Sequence, residues 1–188
     1  MQLLMVSRRA IDGSLTMLGD VAQATGPVTY GRWEELEPYL PEEIEMRIEE
    51  LRHAYRVPAE IMELALPLHD RIAPDVEPPL AYRQGGAPPK LVRVPEDELL
   101  SAAAREVAAF DDGLLAIIGP RSLVESAVMD DTFILTPPQA KGLEFDHVVV
   151  IEPALIAGEG GERGLRELYV ALTRPTKTLV VVHSREWR

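Results

Sequence analysis

The run His147-Val148-Val149-Val150-Ile151 constrains the fold of this chain more than any other feature. It is β-branched and nearly unbroken by polar residues, so it reads as a strand buried on both faces, the pattern of a parallel sheet. A second such run, Thr178 to His183, lies downstream. Between them Leu165, Leu168, Tyr169 and Leu172 fall at i, i+3, i+4 and i+7, one apolar stripe on an amphipathic helix. A helix of this phase buries its stripe against the sheet and crosses over to the next parallel strand. It leaves Arg174 near its C-terminal end, where a guanidinium is expected to reach past the edge of the domain. An arginine held there offers a fixed, planar set of donors to phosphate oxygens.

The rest of the chain alternates in the same way. Leu91–Val94, Leu114–Ile118 and Phe133–Thr136 read as strands. Glu96 to Phe110 reads as a helix with an acidic first turn that suits the helix dipole, and Pro120 to Val128 as a short one. Pro58 opens a helix that runs to about Leu68, with Ile61, Leu64, Ala65 and Leu68 inward. Nearer the N-terminus, Ser14–Leu18 reads as a short strand. The alternation of Ile44, Met46 and Ile48 with Glu45, Arg47 and Glu49 predicts a strand with one polar face. Tyr30 to Leu40 reads as a short helix, and the proline-rich stretch from Pro67 to Pro95, which includes Gly85-Gly86, as an extended loop. Strands that alternate with helices predict an α/β fold, a parallel sheet flanked by helices.

Composition narrows the function. A chain of 188 residues suffices for one domain with a proper core, or one domain plus a fragment. Its 19 Lys+Arg against 31 Asp+Glu give a net charge of −12, which opposes nucleic-acid binding by this piece alone, because phosphate contacts need a basic face. There is no Cys, and His53, His69, His147 and His183 are scattered without ligand spacing, so neither a disulfide nor a protein-held metal site is expected. No apolar run approaches membrane length, and Met1 to Met5 is too short for a signal peptide, so the expected location is cytoplasmic.

Two strings, Ala140-Lys141-Gly142-Leu143-Glu144-Phe145-Asp146-His147-Val148-Val149-Val150 and Leu168-Tyr169-Val170-Ala171-Leu172-Thr173-Arg174, closely resemble the fifth and sixth motifs of superfamily 1 helicases of the UvrD/Rep type. Leu51 to Pro58, with Tyr55-Arg56 at its centre, resembles the fourth motif. Gly19-Asp20-Val21-Ala22-Gln23-Ala24-Thr25 resembles the third. The resemblance implies a RecA-like sheet of the P-loop NTPase type and a set of roles around ATP with Mg²⁺. Tyr55 would lie on the adenine, Arg56 would reach the γ-phosphate, and Gln23 would sense that phosphate across the cleft between domains. Glu144 would bind the ribose hydroxyls, Gly142 would let the backbone approach the nucleotide, and Lys141 would flank it. Arg174 would be the arginine finger. For Arg52 the surface-charge reading is preferred.

No Gly-x-x-x-x-Gly-Lys-Ser/Thr sequence occurs in the chain, nor an acidic strand end suited to magnesium before the third motif. The chain is therefore expected to begin partway through the usual architecture. Residues 1–40 would be a remnant of the first RecA-like domain and the crossover, and 41–188 the second RecA-like domain. The magnesium ligands and the phosphate loop would lie in the missing N-terminal partner domain. Between Ile118 and Phe133 there is room only for a short helix, and not for the large accessory domain that UvrD/Rep enzymes insert ahead of the fifth motif.

The third motif continues into Gly26-Pro27. The fifth reads Thr136-Pro137-Pro138-Gln139 where a His is usual, and Glu152-Pro153 follows its strand. This combination is similar to HelD, the helicase-like ATPase of bacteria that associates with RNA polymerase, and it implies that partner. Two alternatives stand beside it, half of a DNA-translocating UvrD/Rep-type helicase and a non-catalytic interaction module that kept the fold. Tyr30 and Trp33 come later than the aromatics that stack on single-stranded bases in UvrD/Rep enzymes. Packing at a domain junction is at least as good an account of them.

Overall fold

A computed structural model of the chain describes residues 5–6, 8–9, 14–26, 30–40, 46–125, 127 and 132–187. In chain order it contains β1 (His53–Ala54), α1 (Ala59–Ile72), β2 (Leu80–Ala81), β3 (Lys90–Arg93) and α2 (Leu99–Val107). There follow β4 (Leu115–Ile118), α3 (Arg121–Val124), β5 (Phe133–Leu135), α4 (Pro137–Ala140) and β6 (Phe145–Ile151). The chain closes with α5 (Pro153–Gly158), α6 (Glu162–Leu172) and β7 (Pro175–His183). Short 3₁₀ helices span Trp33–Tyr39 and Glu96–Glu98.

Five of the strands form one all-parallel sheet in the order β3-β7-β6-β4-β5. β6 and β7 are its centre, as their unbroken apolar runs require. Their residues alternate between two faces. Val148, Val150, Leu179 and Val181 pack with Ile61, Ala65, Leu168 and Leu172 from α1 and α6. Val149, Ile151, Val180 and Val182 pack with Leu99, Ala103 and Val107 from α2. The three layers expected of an α/β domain are therefore present.

Several expectations need correction. The sequence predicts one apolar stripe on α6, yet Arg166, Glu167, Val170 and Ala171 are buried as well, because the helix packs on α1, α4 and α5 in addition to the sheet. α1 does not stop near Leu68 but runs on to Ile72 through Pro67. Pro67 faces solvent while Leu68, His69 and Ile72 are buried on the same face as Ile61 and Ala65. Burial of that last turn outweighs the lost backbone bond. Glu96 to Phe110 divides into a 3₁₀ turn and α2, and the helix expected over Tyr30–Leu40 is a 3₁₀ helix. The helix expected over Pro120 to Val128 is α3 alone, and Val128 lies outside the described residues.

Ser14–Leu18 and Met46–Ile48 form neither helix nor strand and join no ladder among the described residues; Ile44 and Glu45 lie outside the described residues. The alternation is that of a strand, but a ladder needs a neighbour with free donors and acceptors. These two segments instead flank a cleft of about 710 Å³ that also touches Trp33, His69 and Tyr169. The stretch expected as one extended loop between Pro67 and Pro95 carries the last turn of α1, and β2 within it pairs in parallel with β1.

Two side chains, Asp146 in the fifth-motif string and Arg166 before the sixth, hold this arrangement. Gly113 turns the chain into β4 with φ +85°, and a Cβ there would come within 2.9 Å of Asp146. Asp146 accepts the Leu114 N–H at 2.9 Å and meets Lys177 at 3.1 Å. Those two contacts, the Leu114 N–H first, hold its carboxyl below the usual aspartate value.

Arg166 is 1% exposed. Its guanidinium donates to the carbonyl of Ile72 at 2.7 Å, to that of Val21, and to Glu162 at 2.6 Å. The Ile72 carbonyl is one of the orphan acceptors at the end of α1, where a cation also suits the helix dipole. Through Val21 the same side chain fastens the segment before α1 onto α6.

Arg166→Met should therefore cost about 1–3 kcal/mol, because two buried carbonyls lose their donor. It should also release amide protection around Val21, and hydrogen exchange that left this protection unchanged would show that the segment is held elsewhere. Gly113→Ala should cost a similar ~1–3 kcal/mol from left-handed backbone strain and the Asp146 clash, measured as a lower urea midpoint.

Candidate functional site

The turn Gly19–Ala24 is built by Asp20. Its Oδ1 accepts the Ala22 N–H at 2.9 Å, and its carbonyl accepts the Gln23 N–H at 3.2 Å. Its Oδ2 accepts from Gln23 Nε2 at 2.9 Å. With its amide nitrogen so engaged, Gln23 presents Oε1, which accepts from Arg174 Nη2 at 3.0 Å across 151 residues of sequence.

Arg174 follows the end of α6, where the Thr173 hydroxyl donates to the Tyr169 carbonyl at 2.8 Å. Arg174 Nε donates to the Val170 carbonyl at 3.0 Å and Nη1 to the Leu143 carbonyl at 3.2 Å. The side chain is 3% exposed. The sequence predicts a guanidinium reaching past the domain edge; in the structure it is folded inward, because four acceptors converge on it, the Thr173 hydroxyl oxygen at 3.3 Å being the fourth. Burial and then the nearby Arg56 cation lower its pKa, although a guanidinium remains charged in a protein.

Arg56 lies above this group. Its Nη1 donates to Glu144 Oε2 at 2.8 Å, with both side chains more than half exposed. A pair so exposed is worth about 0–1 kcal/mol, so another partner opens it at little cost. Glu144 follows Leu143, whose carbonyl holds Arg174. The fourth, fifth and sixth motifs and the Gln23 turn are thus joined by direct contacts.

Gly142 has φ +82° and nothing within 4 Å of where a Cβ would stand. Its requirement is conformational, and the space beside its backbone is free for a close approach. Lys141 ends α4 and is exposed, and no ion pair joins it to the other site residues among those described. Tyr55 is 62% exposed, with Tyr82 beside it.

Sequence reasoning missed Asp20, Thr173 and the cap of α4. The last was legible: Thr136-Pro137-Pro138-Gln139 is a capping box, and the side-chain Oε1 of Gln139 accepts from both the backbone N–H and the hydroxyl of Thr136 at 2.9 Å.

Arg174 and Glu144 stand just before β7 and β6, at the amino-terminal edge of the sheet. An open α/β sheet usually holds its ligand at the opposite edge. What this edge offers is two guanidiniums, a carboxylate, an amide, a free aromatic face and a glycine turn. Such a set can grip the periphery of a nucleotide and answer charge on phosphate, but it contains no backbone cradle of the phosphate-loop kind. Among the described residues no three His, Asp or Glu side chains stand where they could hold a metal ion. No helix among them is long and apolar enough to cross a membrane.

Residues 131–182 match the family described as the UvrD-like helicase C-terminal domain. Among solved structures the chain is similar to the C-terminal domain of a possible DNA helicase from Lactobacillus plantarum WCFS1, at 21% identity, over 70% of this chain and 88% of that one, with a TM-score of 0.50. It is also similar to the PRRSV helicase, at 16% identity over 74% of this chain and 24% of that one, TM-score 0.43. A second structure, PRRSV nsp10 (helicase), matches at 16% identity over 70% of this chain and 23% of that one, TM-score 0.38. A search of curated proteins gives no match. The five-stranded parallel sheet therefore shares its fold with that helicase C-terminal domain, and residues 131–182 within it are similar to the UvrD-like helicase C-terminal domain family.

Proposed function

We propose that this chain is the second RecA-like half of an ATP-driven motor and supplies one side of its ATP site. Residues 41–188 would be the second RecA-like unit, and residues 1–40 a remnant of the first and the crossover. The observation that carries this reading is the meeting of four groups from four separated segments, Gln23, Arg56, Glu144 and Arg174, at one edge of the sheet. A merely structural arginine needs no exposed partner cation, carboxylate and aromatic ring gathered beside it.

The residues fit ATP. Tyr55 offers a flat apolar face to the base, and Glu144, released from Arg56, accepts from ribose hydroxyls. Gly142 leaves room at the backbone, with Lys141 beside it. Arg56 and Arg174 answer the γ-phosphate, whose Mg²⁺ would be held by the partner domain. Bound magnesium supplies charge neutralisation on the phosphates, and this chain's own contribution is orientation and added positive charge.

Arg174 reaches phosphate only by giving up Leu143 and Gln23, whose amide then turns toward the same phosphate. Closure against the N-terminal RecA-like domain is needed to complete the site, so turnover is coupled to movement.

The finer reading is a HelD-like protein whose partner is RNA polymerase, in the cytoplasm. It is supported by the Gly26-Pro27 and Glu152-Pro153 departures and by the short span between β4 and β5. Two further observations favour it over a DNA-translocating enzyme. The net charge is −12, and Trp33 sits against Gly19 and the core and not free for base stacking.

Arg174→Lys keeps charge but loses the planar fork. In the protein joined to its phosphate-loop domain it should lower kcat on the order of 10³-fold with nucleotide affinity nearly kept. Tyr55→Ala should do the reverse, raising Kd while saturated turnover persists. A wild-type kcat for Arg174→Lys would reduce it to a packing residue. The 188-residue chain alone should show neither steady-state ATPase nor sub-micromolar affinity for single-stranded DNA at physiological salt. Fluorescence anisotropy giving such affinity would favour the translocating helicase.

A further inference from the structure

The tripeptide Ala-Tyr-Arg occurs twice, as Ala54-Tyr55-Arg56 and as Ala81-Tyr82-Arg83. The second copy lies in the proline-rich stretch, where its composition suggests only loop. In the fold the two copies lie side by side: β1 and β2 are parallel, with Ala54 opposite Ala81. The Tyr82 N–H donates to the Ala54 carbonyl at 2.9 Å. The tyrosine rings that follow stand 5.1 Å apart at 44°. Both are exposed, Tyr55 by 62% and Tyr82 by 67%, so neither ring is there to fill the core.

The second copy is also held in place. Arg83 Nη1 donates to the Thr176 carbonyl at 2.8 Å and lies 3.4 Å from the Arg56 carbonyl. The Arg83 carbonyl accepts the Ala59 N–H at 2.9 Å, and the Gly85 N–H donates to Glu60 at 2.9 Å. Arg83 thus bridges the Tyr55-Arg56 segment to the start of β7, two residues beyond Arg174. A strand tied at this many points presents its tyrosine in a fixed position, which lowers the ordering cost of stacking a ligand on it.

Resting on the nucleotide reading above, we infer that Tyr82 is a second base-binding residue, and that Tyr55 and Tyr82 together form a two-ring platform that selects purine over pyrimidine nucleotides. Rings 5.1 Å apart cannot admit a base between them, because a sandwich needs about 7 Å, two contact distances of ~3.5 Å. The base lies across the outer faces of the pair. A bicyclic purine covers both rings, whereas a pyrimidine covers one. The Arg56–Glu144 pair beside Tyr55 then marks the direction of the ribose and phosphates.

The test is an NMR titration of the 188-residue chain, with labelled tyrosine rings, against ATP, CTP and inorganic tripolyphosphate. In the wild type, ATP should bind more tightly than CTP, with cross-peaks between adenine protons and the Tyr82 ring. Tyr82→Ala should weaken ATP about tenfold, the loss of one stacked ring. CTP should change much less and tripolyphosphate not at all, and Tyr82→Phe should restore ATP affinity. Unchanged ATP binding in Tyr82→Ala, with a loss confined to Tyr55→Ala, would overturn the two-ring platform while leaving the nucleotide site standing. Equal weakening of all three ligands would make Tyr82 a support for the strand pair only, and the inference would fall. If ATP bound wild type no better than tripolyphosphate, the base would contribute nothing, and the nucleotide reading would fail with it.

Discussion

The hydrogen bond from Arg174 to Gln23 joins the two ends of this chain, and the candidate site depends on it. It is a charge-assisted bond at 3.0 Å in a largely buried setting, where a lost partner is costly. The amide is set by Asp20 within its own turn, and the guanidinium by the carbonyls of Val170 and Leu143. One side of the contact is thus built by local turn chemistry. The other is built by the end of α6 against the loop that enters β6. Arg166, two helical turns earlier on α6, carries the same segment on the Val21 carbonyl. Two buried arginines, Arg166 within α6 and Arg174 just beyond its end, therefore fix where the Gln23 turn lies.

The outer layer of the site is held differently. Arg56 and Glu144 are exposed and pair weakly, and Tyr55 and Tyr82 stand in solvent on a two-stranded parallel ladder. Nothing in that layer resists a ligand by more than about a kcal/mol. Underneath it, Arg174 is held by three elements at once. A ligand at this edge meets replaceable contacts first and a stowed guanidinium second, which suits a site completed only when another domain closes over it.

Much of the fold was legible because it rests on periodicity. The β-branched runs of β6 and β7 could be buried only in a parallel sheet, and the phase of α6 could serve only as their crossover. The illegible parts are those whose partners lie far away in sequence. Ser14–Leu18 and Met46–Ile48 read as strands, yet neither is one among the described residues, because alternation alone does not supply the neighbour a ladder needs. Pro67 in α1 reads as a stop, yet the buried face of the last turn carries the helix past it. Arg166 sits between Leu165 and Leu168 and reads as a solvent-facing charge. Its burial follows from α1 and α5 covering that side, which no helical stripe reveals. For the site, the motif strings gave the residue types, but not that Arg174 points inward or that Arg56 meets Glu144. The Ala-Tyr-Arg repeat was on the page from the start. Its meaning waited for the register of β1 and β2.

The joining of Gln23 and Arg174 into one unit is tested most directly by a double-mutant cycle on stability, with Gln23→Ala, Arg174→Met and the pair measured by urea unfolding. Two side chains that share a buried charge-assisted bond should couple by about 1–2 kcal/mol, the double variant losing less than the sum of the singles. Losses that add within roughly 0.5 kcal/mol would mean that the two residues do not act together, and that the third and sixth motifs are not one site in this chain.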